Sequence, residues 1–224
     1  MKRTLLAISI VTAAIPLLAE APPVDRVSQM GEIAQSLGVQ CAYCHSAARG
    51  SNEPQPKKEI ARAMMAMTDD INARLRAATG KPAGQVTDIQ CAFCHRGVPI
   101  PKPIGDIVWQ TTRDKGVAAA IDQYRDLRSH FYGRSTYDFG EDALVLLGQR
   151  MANSRADDAI ALLNLNLEYY PLSVRTYLVK SFAQTRKLDD ESAIASLEKA
   201  LEIDPENSLA RGSLEQLKRY RRVR

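Results

Sequence analysis

Apolar side chains return at helical intervals along most of this chain. Between Val24 and Leu37 they stand at Val27, Met30, Ala34 and Leu37, and Gly38 follows where a helix C-cap is wanted. From Lys57 to Ala78 the stripe Ile60, Met64, Met67, Ile71 and Leu75 alternates steps of four and three. That spacing predicts a long helix with all five residues on one face, closed by Gly80 and Pro82. Two stretches break the pattern. "HSAARGSNEPQP" (45–56) is small, polar and turn-rich and reads as a loop, and the proline-punctuated "GVPIPKPIG" (97–105) reads as an extended spacer.

Beyond the spacer the pattern repeats itself. With Pro171 laid over Pro205, "AIALLNLNLEYYP" matches "AIASLEKALEIDP" at Ala159/Ala193, Ile160/Ile194, Ala161/Ala195, Leu163/Leu197, Leu167/Leu201 and Glu168/Glu202. A period of 34 residues is that of tetratricopeptide-like solenoids, in which paired antiparallel helices stack. "AAAIDQYRDL" (118–127) reads as the start of a degenerate earlier copy at another offset. The expected fold class is all-α: a small N-terminal domain at 22–104 and a helical-repeat (TPR-like) domain at 105–224.

Residues 1–21 read as an export signal instead of part of the fold. Lys2 and Arg3 precede an apolar run from Leu5 to Leu18, too short to span a bilayer comfortably but suited to a signal-peptide core. Small residues follow at Ala19 and Ala21, while Pro22 makes a poor first residue of the mature chain, so the cleaved bond is left open. An uncleaved N-terminal anchor is the competing reading. The chain is therefore expected in the periplasm, with membrane association if the signal is retained. Its 25% charged and 45% hydrophobic residues are those of an ordinary globular protein. The formal charge of +4 falls to +3 once Lys2, Arg3 and Glu20 are removed, and nothing in the pattern points to nucleic acid.

The candidate chemistry is concentrated in two five-residue words. All four cysteines and two of the three histidines lie in "CAYCH" (41–45) and "CAFCH" (91–95). C-x-x-C-H is the attachment site of a c-type haem. Two cysteines three apart reach the two vinyl groups of one porphyrin, and the following histidine sits beneath the iron. The expectation is two covalently bound haem c groups, with thioethers from Cys41 and Cys44 and from Cys91 and Cys94, and with His45 and His95 as proximal iron ligands. Four haem propionates would bring the total charge to roughly zero. A zinc site is the main competitor. It does not require the histidine after each pair, and the pairs are far apart for a zinc ribbon. Export also places free thiols where disulfides form.

The distal ligands are less determined by spacing. Met30 lies eleven residues before Cys41 on the helix leading into the first motif, and Met67 holds the corresponding place on the long helix before Cys91. Met64 shares that stripe one turn earlier, while Met65 falls off it. Each methionine is equally readable as flexible core filler. His130 lies across the spacer in the second domain and reads as a surface or capping histidine. The basic end "LKRYRRVR" (217–224) reads as a solvated helix terminus, with electrostatic docking as the functional alternative. The acidic runs at Asp69–Asp70 and Asp189–Asp190–Glu191 read as solvated faces.

"LGVQCAYCH", the helix carrying "MTDDIN" (67–72) and "CAFCHRG" (91–97) with its proline-rich exit resemble the haem-bearing repeats of the cytochrome c subunit of photosynthetic reaction centres. The resemblance covers about Val27 to Pro103. It implies Met30 and Met67 as the distal ligands of the first and second haem. The chain departs from the four-haem subunits of that family in having two attachment words, and in the helical repeats that replace the other half. The expected function is single-electron transfer between redox partner proteins, with a membrane electron-transfer complex among the candidate partners and the repeats as docking surface. No enzymatic activity and no small-molecule substrate are expected. A dihaem peroxidase or related oxidoreductase is the alternative, and it would need one iron with an open distal position. A photosynthetic role is not implied, and a respiratory carrier fits as well.

Overall fold

The computed structural model describes residues 26–45 and 56–223; the expected signal segment and nearly all of the 45–56 loop lie outside the described residues. Among the described residues there are ten α-helices, one short 3-10 turn and no strand, so the fold is all-α.

The N-terminal helix α1 spans Arg26–Leu37. It ends in a Schellman cap, with Gly38 at φ +63°, the Val39 N–H bonded to the Ala34 carbonyl at 3.0 Å and the Gly38 N–H to that of Gln35 at 3.1 Å. The first pentapeptide forms the 3-10 turn Cys41–Tyr43. The long helix α2 runs Pro56–Thr79 and stops at Gly80, φ +64°. The second pentapeptide is itself a short helix, α3, Cys91–His95, which packs against α1.

The rest of the chain is a stack of helices: α4 (Ile104–Lys115), α5 (Val117–Phe131), α6 (Glu141–Met151), α7 (Ala156–Tyr169), α8 (Val174–Arg186), α9 (Asp190–Ile203) and α10 (Ser208–Val223). Short connections force most neighbours to pack back on each other, and α4 with α6, α5 with α7 and α6 with α8 also touch. The sequence period is visible in the helix starts. Those of α7 and α9, and of α8 and α10, are each 34 residues apart. Ala159 and Ala193, like Leu163 and Leu197, are fully buried at equivalent places. Ala120 and Tyr124 are buried in the same way 39 residues before Ala159 and Leu163. The five extra residues lie in the connection 132–140, which is longer than the connection 170–173.

Close packing in this half depends on particular residues. A Cβ on Gly148 of α6 would stand 2.8 Å from the Leu163 Cγ and Cδ2 of α7, so the two helices approach at a distance at which alanine would force Leu163 to shift. Asn166 occupies the place that Ala200 holds one period later; its amide donates to the Glu141 carbonyl at 3.1 Å and the Thr176 hydroxyl at 2.8 Å, tying α6, α7 and α8 together. Phe139 anchors the long connection in the core, edge-on to Tyr124 at 5.5 Å. The Arg128 guanidinium lies 4.1 Å over Tyr169 and donates to the Phe139 carbonyl.

The N-terminal half is built differently. Between residues 28 and 103 the described side chains that are buried are Asn72 and Val98, while Met30, Ile60, Met64, Met67, Ile71 and Phe93 are exposed.

Candidate haem sites

Both pentapeptides are entered in the same way. Gln40 and Gln90 are extended, with ψ 163° and 164°, and the chain then coils into one turn that brings each histidine back over its first cysteine. In the first motif the His45 N–H donates to the Cys41 carbonyl at 3.0 Å. In the second, α3 ends at Arg96 in the left-handed region (φ 49°), whose N–H donates to Ala92 at 3.2 Å. The His95 Nδ1 lies 3.1 Å from the carbonyl of buried Val98. As the donor in that bond Nδ1 carries the proton, which leaves Nε2 free to ligate iron and fixes the ring's direction.

The two motifs are joined through their flanking turns. The Gly97 N–H, just after CAFCH, donates to the Ser36 carbonyl in the last turn of α1 at 2.8 Å. Gly38, just before CAYCH, lies so close that a Cβ there would be 2.1 Å from the Gly97 oxygen. The helical-repeat half holds the same turn from its other side: the Thr136 hydroxyl donates to the Arg96 carbonyl at 2.6 Å, and Arg96 reaches the Ser135 carbonyl at 3.4 Å. The elongated connection 132–140 thus links the repeats to the second motif.

Helix α2 spans both sites. Near its start the Lys57 ammonium sits 3.6 Å over the Tyr43 ring of the first motif. Near its end, Asn72 and Arg76 bond Ile89 and Asp88 on the approach to the second. A cavity of about 370 Å³ is lined by Met30, Leu37, Cys41, Cys44, His45 and Met65. A second, of about 590 Å³, is lined by Glu32, Met65, Asp69, Cys91, Ala92 and Gly97. Ile33 and Met65 line both and form the wall between them. Cys94 faces a third cavity, about 570 Å³, shared with Tyr137, Leu146 and Arg150 of the repeat half.

These residues fit covalent haem. Each motif presents two thiols and an imidazole on one tight turn. The first also shares its cavity with a thioether, Met30, on the facing helix. The exposed stripe Ile60, Met64, Met67 and Ile71 provides the kind of uncovered apolar surface that a porphyrin face buries.

The other expected residues fall as follows. Met67 lies on that outer stripe and lines neither of the cavities that contain Cys91 or Cys94. Met65, which the stripe excludes, is the α2 methionine beside Cys91. The signal that could have found it is the face Met65–Asp69–Asn72–Arg76, spaced by fours and threes but mostly polar. His130 is on the surface at the end of α5, its Nδ1 donating to the Asp126 carbonyl at 2.9 Å. Asp70 pairs with Arg74, and Asp189 caps α9 by accepting from the Ser192 N–H; hydrogen bonding from the Ser192 side chain and then from its N–H holds the carboxyl below the usual range. At the basic C-terminal end Lys218 pairs with Glu198 of α9. The cysteines form no disulfide, and among the described residues no three of His, Cys, Asp and Glu converge as a zinc site needs.

An all-α chain whose two C-x-x-C-H turns each open onto a cavity, the first of them mainly apolar, is a c-type cytochrome, and covalent haem c is its cofactor. Residues 27–137 match the family model of the photosynthetic reaction centre cytochrome C subunit, and the chain is related to that family. The match runs through α5 into the connection 132–140, so the segment that grips Arg96 lies inside the related region. Cytochrome c-554 of Chloroflexus aurantiacus is 34% identical over 67 residues, which is 30% of this chain and spans 16% of that protein's length.

Proposed function

We propose that the protein is a periplasmic dihaem cytochrome that passes single electrons between redox partner proteins, with the helical repeats as its docking domain. The observation that carries this reading is the seam between the motifs, the Gly97–Ser36 hydrogen bond and the Gly38–Gly97 contact. It holds the two C-x-x-C-H turns of one chain side by side, as a two-centre relay would need. Haem supplies reversible one-electron chemistry. The chain supplies thioether anchors at Cys41, Cys44, Cys91 and Cys94, proximal imidazoles at His45 and His95, and distal thioethers. Met/His ligation holds a cytochrome's potential high and leaves no iron position for a substrate. Docking through α4–α10 is supported by their connection to Arg96, through which a partner bound to the repeats would be held near the second haem. The apolar run at Leu5–Leu18 supports export, and among the described residues no helix is long and apolar enough to cross a membrane.

Met30 is assigned to the first iron and Met67 to the second. One observation brings in another α2 donor: Met65, not Met67, shares a cavity with Cys91, although it lines the cavity of Cys41 and Cys44 as well. The deciding experiment is a spectroelectrochemical titration of the mature holoprotein with carbon monoxide added to the reduced form. Two haems, two one-electron waves and no carbon monoxide binding are expected. Replacing the true α2 ligand by leucine, at Met67 or at Met65, lowers one midpoint and admits one carbon monoxide; replacing the other does neither. Rapid binding by the unaltered protein would instead support a peroxidase-like enzyme.

A further inference from the structure

We infer that Asn72 is a positioning residue for the second haem site, setting the register between α2 and the turn that carries His95. The inference rests on the reading of CAFCH as a haem attachment site. Asn72 is buried, unlike the rest of α2. Its amide Nδ2 donates to the Ile89 carbonyl at 3.0 Å, and its Oδ1 accepts from the Ile89 N–H at 2.7 Å. Both backbone polar groups of Ile89 are therefore satisfied by one side chain. A primary amide suits this task because it carries a donor and an acceptor side by side. Aspartate keeps the acceptor alone, and glutamine is one methylene too long. One turn further on, Arg76 donates to Asp88 at 2.9 Å, but both partners are partly exposed and the bond is correspondingly weak.

Ile89 lies two residues before Cys91, so the clamp acts on the approach to the thioether anchors. The exit is fixed separately, by Ser36 to Gly97 and by Thr136 to Arg96. With its exit held by α1 and the repeats, the α3 turn relates to the α2 methionines through its approach. Asn72 stands on the same helix as those methionines, and on the face of Met65 and Asp69. A thioether on α2 offered to an iron held at the α3 turn would depend on the spacing between the two elements, which Asn72 helps to fix.

The test uses the full-length holoprotein with Asn72→Ala and Asn72→Asp. Haem content by mass, both midpoint potentials and carbon monoxide uptake by the reduced form are measured together. For Asn72→Ala the expectation is two haems retained, one midpoint lowered and the other unmoved, with one carbon monoxide bound per molecule. Asn72→Asp should shift the same wave by less, and it decides the matter should the alanine variant fail to mature. Unchanged potentials and no carbon monoxide binding, even with lowered thermal stability, would overturn the inference. So would equal movement of both waves, which marks a general loosening. Absence of two haems from the unaltered protein would instead overturn the dihaem reading, a distinct result.

Discussion

Gly38 and Gly80 form a matched pair for testing the seam between the two C-x-x-C-H turns. Each follows a helix, and their backbones are nearly identical at φ +63° and +64°. Alanine at either position must adopt the left-handed region, which costs about 1–2 kcal/mol. The surroundings differ. A Cβ on Gly80 meets nothing within 4 Å, whereas one on Gly38 would stand 2.1 Å from the Gly97 oxygen and 2.8 Å from its carbonyl carbon. Both are backbone atoms of the turn fixed to His95, so no side chain can swing aside. The seam must open, losing the Gly97–Ser36 hydrogen bond, worth about 0.5–1.5 kcal/mol net. Repacking of α1 against α3 adds about 1–3 kcal/mol, the usual cost of overpacking. Gly38→Ala should therefore be less stable than Gly80→Ala by about 2–4 kcal/mol. For an m-value near 2 kcal/mol/M this is about 1–2 M in urea midpoint. Urea unfolding of the two holoproteins, followed by helical circular dichroism and by haem absorbance, makes the comparison. Equal midpoints would refute the reasoning, because they would mean that the contact between the turns carries no energy.

Two further predictions concern the repeat half. The Tyr124 hydroxyl is buried and makes no well-aligned hydrogen bond, and burial pushes its pKa up to about 12 against the opposing charge and weak hydrogen bonding of Arg128. Since the unfolded phenol ionises near pH 10, the folded state holds the proton more tightly between about pH 10 and 12. Stability must fall across that window as pH rises. Tyr124→Phe should be as stable as the unaltered protein or more so at neutral pH and should lose this slope, as urea midpoints at pH 8, 10 and 11 would reveal. Gly148→Ala should destabilise by about 1–3 kcal/mol through overpacking against Leu163, measured by thermal melting, with both midpoint potentials unchanged.

The features legible in the sequence are those made by residues close together along it. The C-x-x-C-H words needed no tertiary information, because two thiols and an imidazole on one turn already define their chemistry. The caps at Gly38 and Gly80 and the 34-residue period were legible for the same reason, since helix ends and helix faces are set within four residues. The earlier, degenerate copy was harder, because the long connection 132–140 moves it out of step. That connection looks like an insertion until Thr136 is found bonded to Arg96.

Helix α2 marks where the pattern ran out. Its apolar stripe placed Ile60, Met64, Met67 and Ile71 on one face, and that face is exposed, while the mostly polar face of Met65, Asp69 and Asn72 turns toward the second motif. Periodicity reports which residues share a face, not what that face meets, and a helix that reaches both C-x-x-C-H turns has more than one face to cover. Chemistry and helical period were therefore determined by the sequence alone. Tertiary structure decided which turns meet: Gly38 against Gly97, Asn72 around Ile89 and Thr136 on Arg96. Those contacts join segments tens of residues apart, and their geometry exists only after the helices have docked.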